Sequence, residues 1–268
     1  MRDILEEDKN QEREDFLANL GFLSNKYLSV HLARYVHTMG HIPYGEYLRN
    51  GDYSTALEMG STYIFPKWMI ERLGFAQVDV TDFRDTVPAG LSEHAIETAK
   101  GPVPCRRFNI NLESDPIPVA DETYDLVLCF EVIEHLEVDP MFMLCEINRI
   151  LKPGGCLYLS TPNSISGRNV FKILNGYAPH FFMKYSKEAT LYRHNIEYAP
   201  HQVLAMGKAA GFSVRKFWTA DTFENTIPEA LEILERNGFS TDHRGDNMLV
   251  VLEKESDVIE RYPAAIYY

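Results

Sequence analysis

The stretch from Tyr124 to Leu136 reads Tyr-Asp-Leu-Val-Leu-Cys-Phe-Glu-Val-Ile-Glu-His-Leu. An apolar run leads there into Glu131, Glu134 and His135, side-chain types that move protons or hold cations. A second polar cluster, Tyr192-Arg193-His194-Asn195-Ile196-Glu197-Tyr198, lies further along. An imidazole titrates near neutrality and can take a proton from a hydroxyl, and an arginine beside it can bind a phosphate or carboxylate. His194 and His135 are therefore the candidate catalytic residues. Each also has a structural reading: His135 bonding nearby backbone, His194 as a surface-loop histidine.

Groups this far apart need a scaffold, and the chain alternates strand and helix patterns from Ser54 onward. Strands are predicted at 55–59, 76–80, 107–110, 124–130, 156–161, 212–217 and 248–252. Helices are predicted at 67–73, through Met141, Leu144, Ile147 and Leu151, and at 200–210. Such alternation predicts a mostly parallel sheet covered by helices on both faces. Ligands bind such sheets beyond the carboxyl ends of the strands, where strand order reverses. At the first end, Glu58-Met59-Gly60-Ser61 offers one glycine for close backbone approach, or a plain turn. Asp82, 22 positions after Gly60, can accept both hydroxyls of a ribose, with Asp79 or Asp85 as substitutes if the strand register differs. Asn111 can pair with an adenine edge while Leu112 packs on the ring, or Asn111 is an ordinary turn residue.

Taken with Leu151-Lys152-Pro153-Gly154-Gly155 and Leu159-Ser160-Thr161-Pro162-Asn163, the 124–136 block resembles the class I S-adenosylmethionine-dependent methyltransferases. The likeness is to the subgroup with an EHL block, an LKPGG helix end and a TPN strand end. It spans about residues 54 to 254 and implies a Rossmann-like seven-stranded α/β sheet. By position it implies that Gly60, with Glu58 before it, faces the methionine part of the cofactor. Asp82 would hold the ribose, Asn111 and Leu112 the adenine. Cys129 would offer its backbone carbonyl to the amino group, with Phe130 beside it. One departure is plain: relatives carry ExGxGxG, whereas this chain reads Glu58-Met59-Gly60-Ser61-Thr62-Tyr63. Single-glycine loops also occur in enzymes resembling those that modify bacterial polysaccharide sugars.

Four segments are expected. Residues 1–50 form a helical N-terminal cap, 51–163 the cofactor-binding half, 164–198 an inserted lid, and 199–268 the rest of the α/β domain. The insertion is rich in aromatics and basics, including Arg168, Lys172, Phe181, Lys184, Tyr192 and Arg193. A basic cluster in an acidic chain marks an acceptor-binding surface; a packing subdomain or dimer contact is the alternative. Arg193, Tyr192, Tyr198 and Arg168 are the expected acceptor contacts.

A net charge of -13 argues against a nucleic-acid partner, because phosphates repel an acidic surface. No secretory leader and no run of 18 apolar residues is seen, so a cytoplasmic protein without a membrane span is expected. Its four cysteines show no zinc spacing and are expected to be buried reduced thiols. No metal is expected, although Glu131, Glu134 and His135 are not excluded as ligands. The favoured activity is O-methylation of a carbohydrate, phosphosugar or other small polar acceptor. The alternatives are a quinone or lipid-type methyltransferase, an inactive scaffold of the same fold, and an NAD-dependent oxidoreductase, which the missing GxGxxG disfavours. Self-association is left open.

Overall fold

Hydrophobic residues on both faces of a strand demand cover on both sides, and this chain supplies it. In strand β5 (Tyr124–Phe130), Val127 and Cys129 point into one apolar cluster, while Leu126, Leu128 and Phe130 point into another. That period of two with neither face polar is the pattern of a central parallel strand. The computed structural model describes residues 2–21, 29–43, 55–83, 89–179, 187, 193–223 and 227–268.

In chain order the elements are α1 (Arg2–Asn19), α2 (Leu32–Gly40), β1 (Thr55–Met59), α3 (Ile64–Trp68, prolonged as a π-turn over Met69–Leu73), β2 (Gln77–Asp82), β3 (Gly90–Thr98), β4 (Gly101–Asn109) and β5. They continue as α4 (Pro140–Ile150), β6 (Leu151–Pro162), α5 (Gly167–Leu174), α6 (Pro200–Ala209), β7 (Phe212–Ala220), α7 (Pro228–Arg236) and β8 (Asn247–Lys254). The strands form one sheet in the order β3-β4-β2-β1-β5-β6-β8-β7. β4, β2, β1, β5 and β6 run parallel, and β8 is antiparallel to both its neighbours. Strand order reverses between β1 and β5, which places a crevice at Met59–Gly60 and Phe130–Glu131.

The expected seven-stranded sheet thus has an eighth strand among the described residues. β3 pairs with β4 along its whole length, at the edge of the sheet. It escapes a sequence reading because it buries only Ile96, so no alternation develops. β4 starts earlier than predicted, despite Pro102 and Pro104. These prolines are tolerated because β4 meets β2 only from Arg107 onward, which leaves one edge open before that. The stretch read as irregular after Asn163 holds α5, whose cap Ser166 accepts the Asn169 N–H at 3.2 Å. α7 was likewise not anticipated.

The N-terminal helices pack directly onto the sheet. Phe16 and Leu17 of α1 and Tyr35, Val36 and Met39 of α2 join Phe65, Trp68 and the β5 residues in one cluster. α4 and α6 cover the other face through Leu144, Ile147, Val203 and Met206. α4 ends at Ile150, one residue short of the expected Leu151, which instead opens β6; at its start the Asp139 carboxylate accepts the Phe142 N–H, and Pro140 occupies the first turn. Gly155 follows because a Cβ there would lie 2.9 Å from the Lys152 carbonyl oxygen.

Asp79 is fully buried in mid-strand. It accepts Arg106 Nε and NH2 at 3.0 and 2.7 Å, the Arg106 backbone N–H at 2.9 Å, the Tyr124 hydroxyl at 2.8 Å and the Gln77 amide at 2.8 Å. This network ties β2 to β4 and to the start of β5, and it uses Asp79 structurally, away from the strand tips. Removing one member of a buried ion pair leaves its partners without a charge to meet. Asp79→Ala should lower unfolding stability by about 3 kcal/mol, read as a lower urea midpoint with unchanged slope.

Candidate active site

The turn after β1 is held tightly. Gly60 has φ +63°, and a Cβ at that position would lie 2.9 Å from Val132 Cγ2 in the turn after β5. The Gly60 N–H donates to Thr81 Oγ1 at 3.1 Å, and the Ser61 N–H donates to the Thr81 carbonyl at 3.0 Å. The β1 and β2 tips are therefore laced together, and Asp82 stands beside the glycine turn. The Asp82 carboxylate accepts Arg107 NH2 at 2.7 Å and remains about one-fifth exposed. Two non-glycine residues at this end also have left-handed backbone, Tyr63 at φ +64° and Glu131 at φ +55°. Strained residues gathered at a topological switch point are the mark of a functional site.

Glu58 is buried just before the glycine and accepts the Ser61 hydroxyl. Burial pushes its carboxyl up to about 8, against the smaller pull of the Ser61 bond and the Arg34 charge. Cys129 is fully buried against Met143 and its thiol is pushed upward by burial. The Phe130 ring packs on Phe65 and Tyr158, at 4.7 and 4.8 Å between centroids. Both side chains face the core, so only their backbone can meet a ligand. The Asn111 Oδ1 accepts the Glu113 N–H at 3.0 Å, which fixes the turn after β4, and Leu112 packs against the larger core cluster.

The segment after β5 is where the two predicted histidines meet. The Glu131 N–H donates to the Ser160 carbonyl at 3.0 Å, and its side chain accepts Ser160 Oγ at 2.6 Å and Asn247 Nδ2 at 3.0 Å. A short 3-10 turn follows over Ile133–His135. The Glu134 carbonyl accepts the Asn195 N–H at 2.7 Å, and the His135 carbonyl accepts Asn195 Nδ2 at 2.8 Å. That docking brings the His194 ring to 4.9 Å from the His135 ring, edge to face. His194 Nδ1 lies 2.9 Å from Glu197 Oε1, and His135 Nδ1 lies 3.2 Å from the Arg193 carbonyl. Burial, then the neighbouring His194, lowers the His135 pKa. Glu134 is fully buried: its Oε2 accepts the Thr161 hydroxyl at 2.9 Å, and its Oε1 has no hydrogen-bond partner among the described residues. Burial and the nearby Glu131 push its carboxyl upward.

Among the expected acceptor contacts, Arg193 is half-buried and bonds Asn195 Oδ1 at 2.7 Å. Arg168 is buried on α5. Tyr198 is 1% exposed and belongs to the larger core cluster, so it packs the domain rather than lining an acceptor surface. Tyr192 and the alternative Asp85 lie outside the described residues, as does most of the expected lid between Tyr177 and Arg193. No helix among the described residues is long and apolar enough to cross a membrane.

One residue escaped the sequence reading. Arg34, on α2, is 6% exposed, stacks over Tyr35 and Phe223 at 4.7 and 5.9 Å, and leaves its Nε without a hydrogen-bond partner among the described residues. Its charge reaches Glu58 and Glu134 and lowers the pKa of His31, second to burial. A signal was available: an arginine flanked by buried Tyr35 and Val36 in an otherwise apolar helix face is out of place unless something anionic meets it.

Comparison with known proteins follows the same outline. Residues 66–159 match the family model described as methyltransferase domain. The chain is 33% identical over 76 residues to a ubiquinone biosynthesis O-methyltransferase of Coxiella burnetii, covering 27% of this chain and 32% of the relative. It is 33% identical over 91 residues to the protein of that description from Parvibaculum lavamentivorans, covering 33% and 36%. The chain thus spans about a third of the length of the curated relatives it matches. A SAM-dependent methyltransferase from Archaeoglobus fulgidus superposes with a TM-score of 0.52 at 16% identity, over 89% of this chain and 99% of that one. The fold is that of the class I methyltransferases, with S-adenosylmethionine as the cofactor of such a domain.

Glu58 gives this end of the sheet a pH signature. Its folded-state pKa is raised, so its contribution to stability is complete below the unfolded value near 4.5 and is lost as pH rises toward about 8. Glu58→Gln removes that loss. Across pH 5 to 8 the variant should gain on the wild type by up to about 1.4 kcal/mol per pH unit, measured by paired urea unfolding.

Proposed function

We propose that this chain, whose fold and central domain are those of the S-adenosylmethionine-dependent methyltransferases, transfers a methyl group to a hydroxyl oxygen of a small molecule. The observation that carries this reading is the switch-point crevice itself. It combines a glycine turn, a strand-tip carboxylate, a buried arginine whose Nε has no hydrogen-bond partner among the described residues, and a histidine pair.

The donor set fits the cofactor. Asp82, about one-fifth exposed at the β2 tip, accepts the two ribose hydroxyls in this reading. Asn111 and Leu112 lie after the neighbouring strand tip and take the adenine. The Gly60 turn borders the methionine part, and the Cys129 carbonyl receives its ammonium. Arg34 supplies the counter-charge for the methionine carboxylate, an ion pair that suits a guanidinium held in a buried site. The missing later glycines do not break this fit, because left-handed backbone is reached instead at Tyr63.

When bound, the cofactor supplies a methyl group already made electrophilic by a sulfonium. The chain's own task is to hold the acceptor in line and to help its hydroxyl lose a proton. The cluster of Glu134, His135 and His194 supports that role, since it gathers three proton-handling groups within one buried end of the crevice. Glu197 orients the His194 ring through Nδ1. A phenolic hydroxyl fits these groups better than a sugar alcohol, because it ionises near pH 10 as tyrosine does. The relatives described as ubiquinone biosynthesis O-methyltransferases support the same aromatic acceptor class. The carbohydrate reading has no comparable support among the relatives, and the acceptor is taken here as an aromatic hydroxyl of the quinone-precursor type.

Calorimetric titration with S-adenosylhomocysteine tests the cofactor half. The wild type should bind it with one site per chain, and Asp82→Ala and Arg34→Met should each weaken binding about tenfold or more. Binding of NAD in its place would overturn the reading. The acceptor half is read separately. With cofactor saturating and a catechol as acceptor, His194→Ala should lower turnover about 100-fold while leaving homocysteine-product affinity unchanged.

A further inference from the structure

We propose that Asn247 is a specificity-determining residue on the acceptor side of the crevice, whose side-chain oxygen accepts a hydrogen bond from a second hydroxyl of the acceptor. The substrate class is then an aromatic diol rather than a simple phenol. What happens to the bound molecule rests on the methyltransferase reading; the contact with Asn247 does not.

The two ends of the Asn247 amide are the first reason. This residue opens β8 and is fully buried. Its Nδ2 donates to Glu131 Oε1 at 3.0 Å and to Thr222 Oγ1 at 3.4 Å. A carboxylate oxygen pairs with the NH2 end of an amide and repels the oxygen end, so the Glu131 contact decides which way round the group stands. The other end, Oδ1, is buried with no hydrogen-bond partner among the described residues. A buried carbonyl oxygen left unpaired is unfavourable, and an O–H donor removes the penalty. Turning the amide over would set its oxygen against Glu131, so that rearrangement gives no relief.

The place of Asn247 in the sheet is the second reason. β8 lies two strands beyond β5, roughly 10 Å away at the usual strand spacing. That is the direction away from Gly60, Asp82 and Asn111, so the residue stands past the cofactor. It pairs in register with Pro162 at the tip of β6, which puts it at the carboxyl ends of the parallel strands. Met248 and Val250 point to the face under α4 and α6, while Leu249 and Val251 point to the face under α1 and α2. By that alternation Asn247 shares the α2 face. Above it, the Phe223 ring, one residue after Thr222, lies 5.9 Å from Arg34 Cζ and 5.7 Å from the His31 ring. Phe223 and Glu131 are both only partly buried, so the space they border is open to a ligand. Glu131 also links this wall to the proposed proton acceptors, since it holds the Asn247 amide and its charge reaches His135. A diol with one hydroxyl toward the histidines can give the other to Oδ1. A phenol leaves that oxygen stranded, and a site built to pair with a hydroxyl rejects the analogue that lacks it for this reason.

The test is a binding series on the full chain with S-adenosylhomocysteine saturating. Catechol, resorcinol, hydroquinone and phenol are titrated separately and followed by NMR. At least one diol should bind about tenfold more tightly than phenol. Asn247→Leu should bring that ratio to about one while leaving phenol affinity unchanged, a change that mere loss of packing would not produce. If Asn247→Leu fails to fold, Asn247→Ser, whose hydroxyl is too short to reach the same point, carries the comparison. No diol binding, no preference over phenol, or a preference that the substitution leaves intact overturns the assignment. If S-adenosylhomocysteine itself does not bind, the same series without it decides: a preference that depends on Asn247 keeps the residue's role and loses the methyltransferase reading. Methyl transfer to phenol and the diols at equal kcat/KM rejects the role of Asn247 alone.

Discussion

The close approach of the turn after β1 to the turn after β5 governs the rest of this molecule. Only a residue without a Cβ can stand at position 60, because Val132 Cγ2 occupies the space a methyl would fill. On the opposite side Glu131 is forced into left-handed backbone, and its side chain is bolted to β6 and β8 through Ser160 and Asn247. A strained glutamate persists only where its surroundings over-determine it, and here three strands do so. The 3-10 turn that begins at Ile133 inherits its direction from that residue. The Glu134 and His135 carbonyls then face outward and capture Asn195, which brings His194 home. One tight contact at the switch point therefore sets the position of groups from three distant parts of the chain.

The same crowding explains the charge pattern. Glu58, Glu131 and Glu134 converge on the crevice, and Arg34 is the cation whose charge reaches into it from α2. Glu58 and Glu134 answer to burial first, which favours their protonated forms. The arginine reaches that place because α2 is packed on the sheet by Tyr35, Val36 and Met39. Here the N-terminal helices do more than cover an apolar face, since they carry a buried cation whose charge acts on Glu58 and Glu134.

How much of this was legible follows from what each element buries. β5 could be read to the residue because both its faces are apolar, and α4 because its apolar residues recur at helical spacing, although the strand that follows starts earlier than the Pro-Gly signal suggests. The strand-end positions of Gly60 and Asp82 were legible because each closes an apolar strand pattern where the chain must turn. The β3–β4 hairpin was not, since an edge ribbon with one buried side chain leaves no periodicity to detect. Arg34 is not legible from apolar spacing, because a helix periodicity marks which face is buried and not which charge is buried with it. His135 and His194 were both named as catalytic candidates, but not as neighbours. Nothing in a linear pattern says that two histidines this far apart will pack ring against ring, because that contact is made by backbone carbonyls and an asparagine, none of which carries a motif. Tyr198 misled for the opposite reason: an aromatic in a polar segment suggests a ligand surface, yet its ring fills the core beneath α6.

The acidity of the crevice bears on what it can hold. A chain with net charge -13 that also turns carboxylates inward is poorly suited to an anionic ligand, unless a fixed cation intervenes, as Arg34 does at one point. A sulfonium-bearing amino acid is the reverse case, since it carries two positive centres and one negative. In the proposed reading its negative end would meet Arg34, and its positive centres would meet the glutamates and the carbonyls at the β5 tip. Setting the half-buried Glu131 beside the buried Glu134 is unfavourable in isolation, and each positive group brought near them lowers that penalty. The energetic logic of the site is thus cooperative: carboxylates that weaken the unliganded fold become attractive forces for any cation that enters.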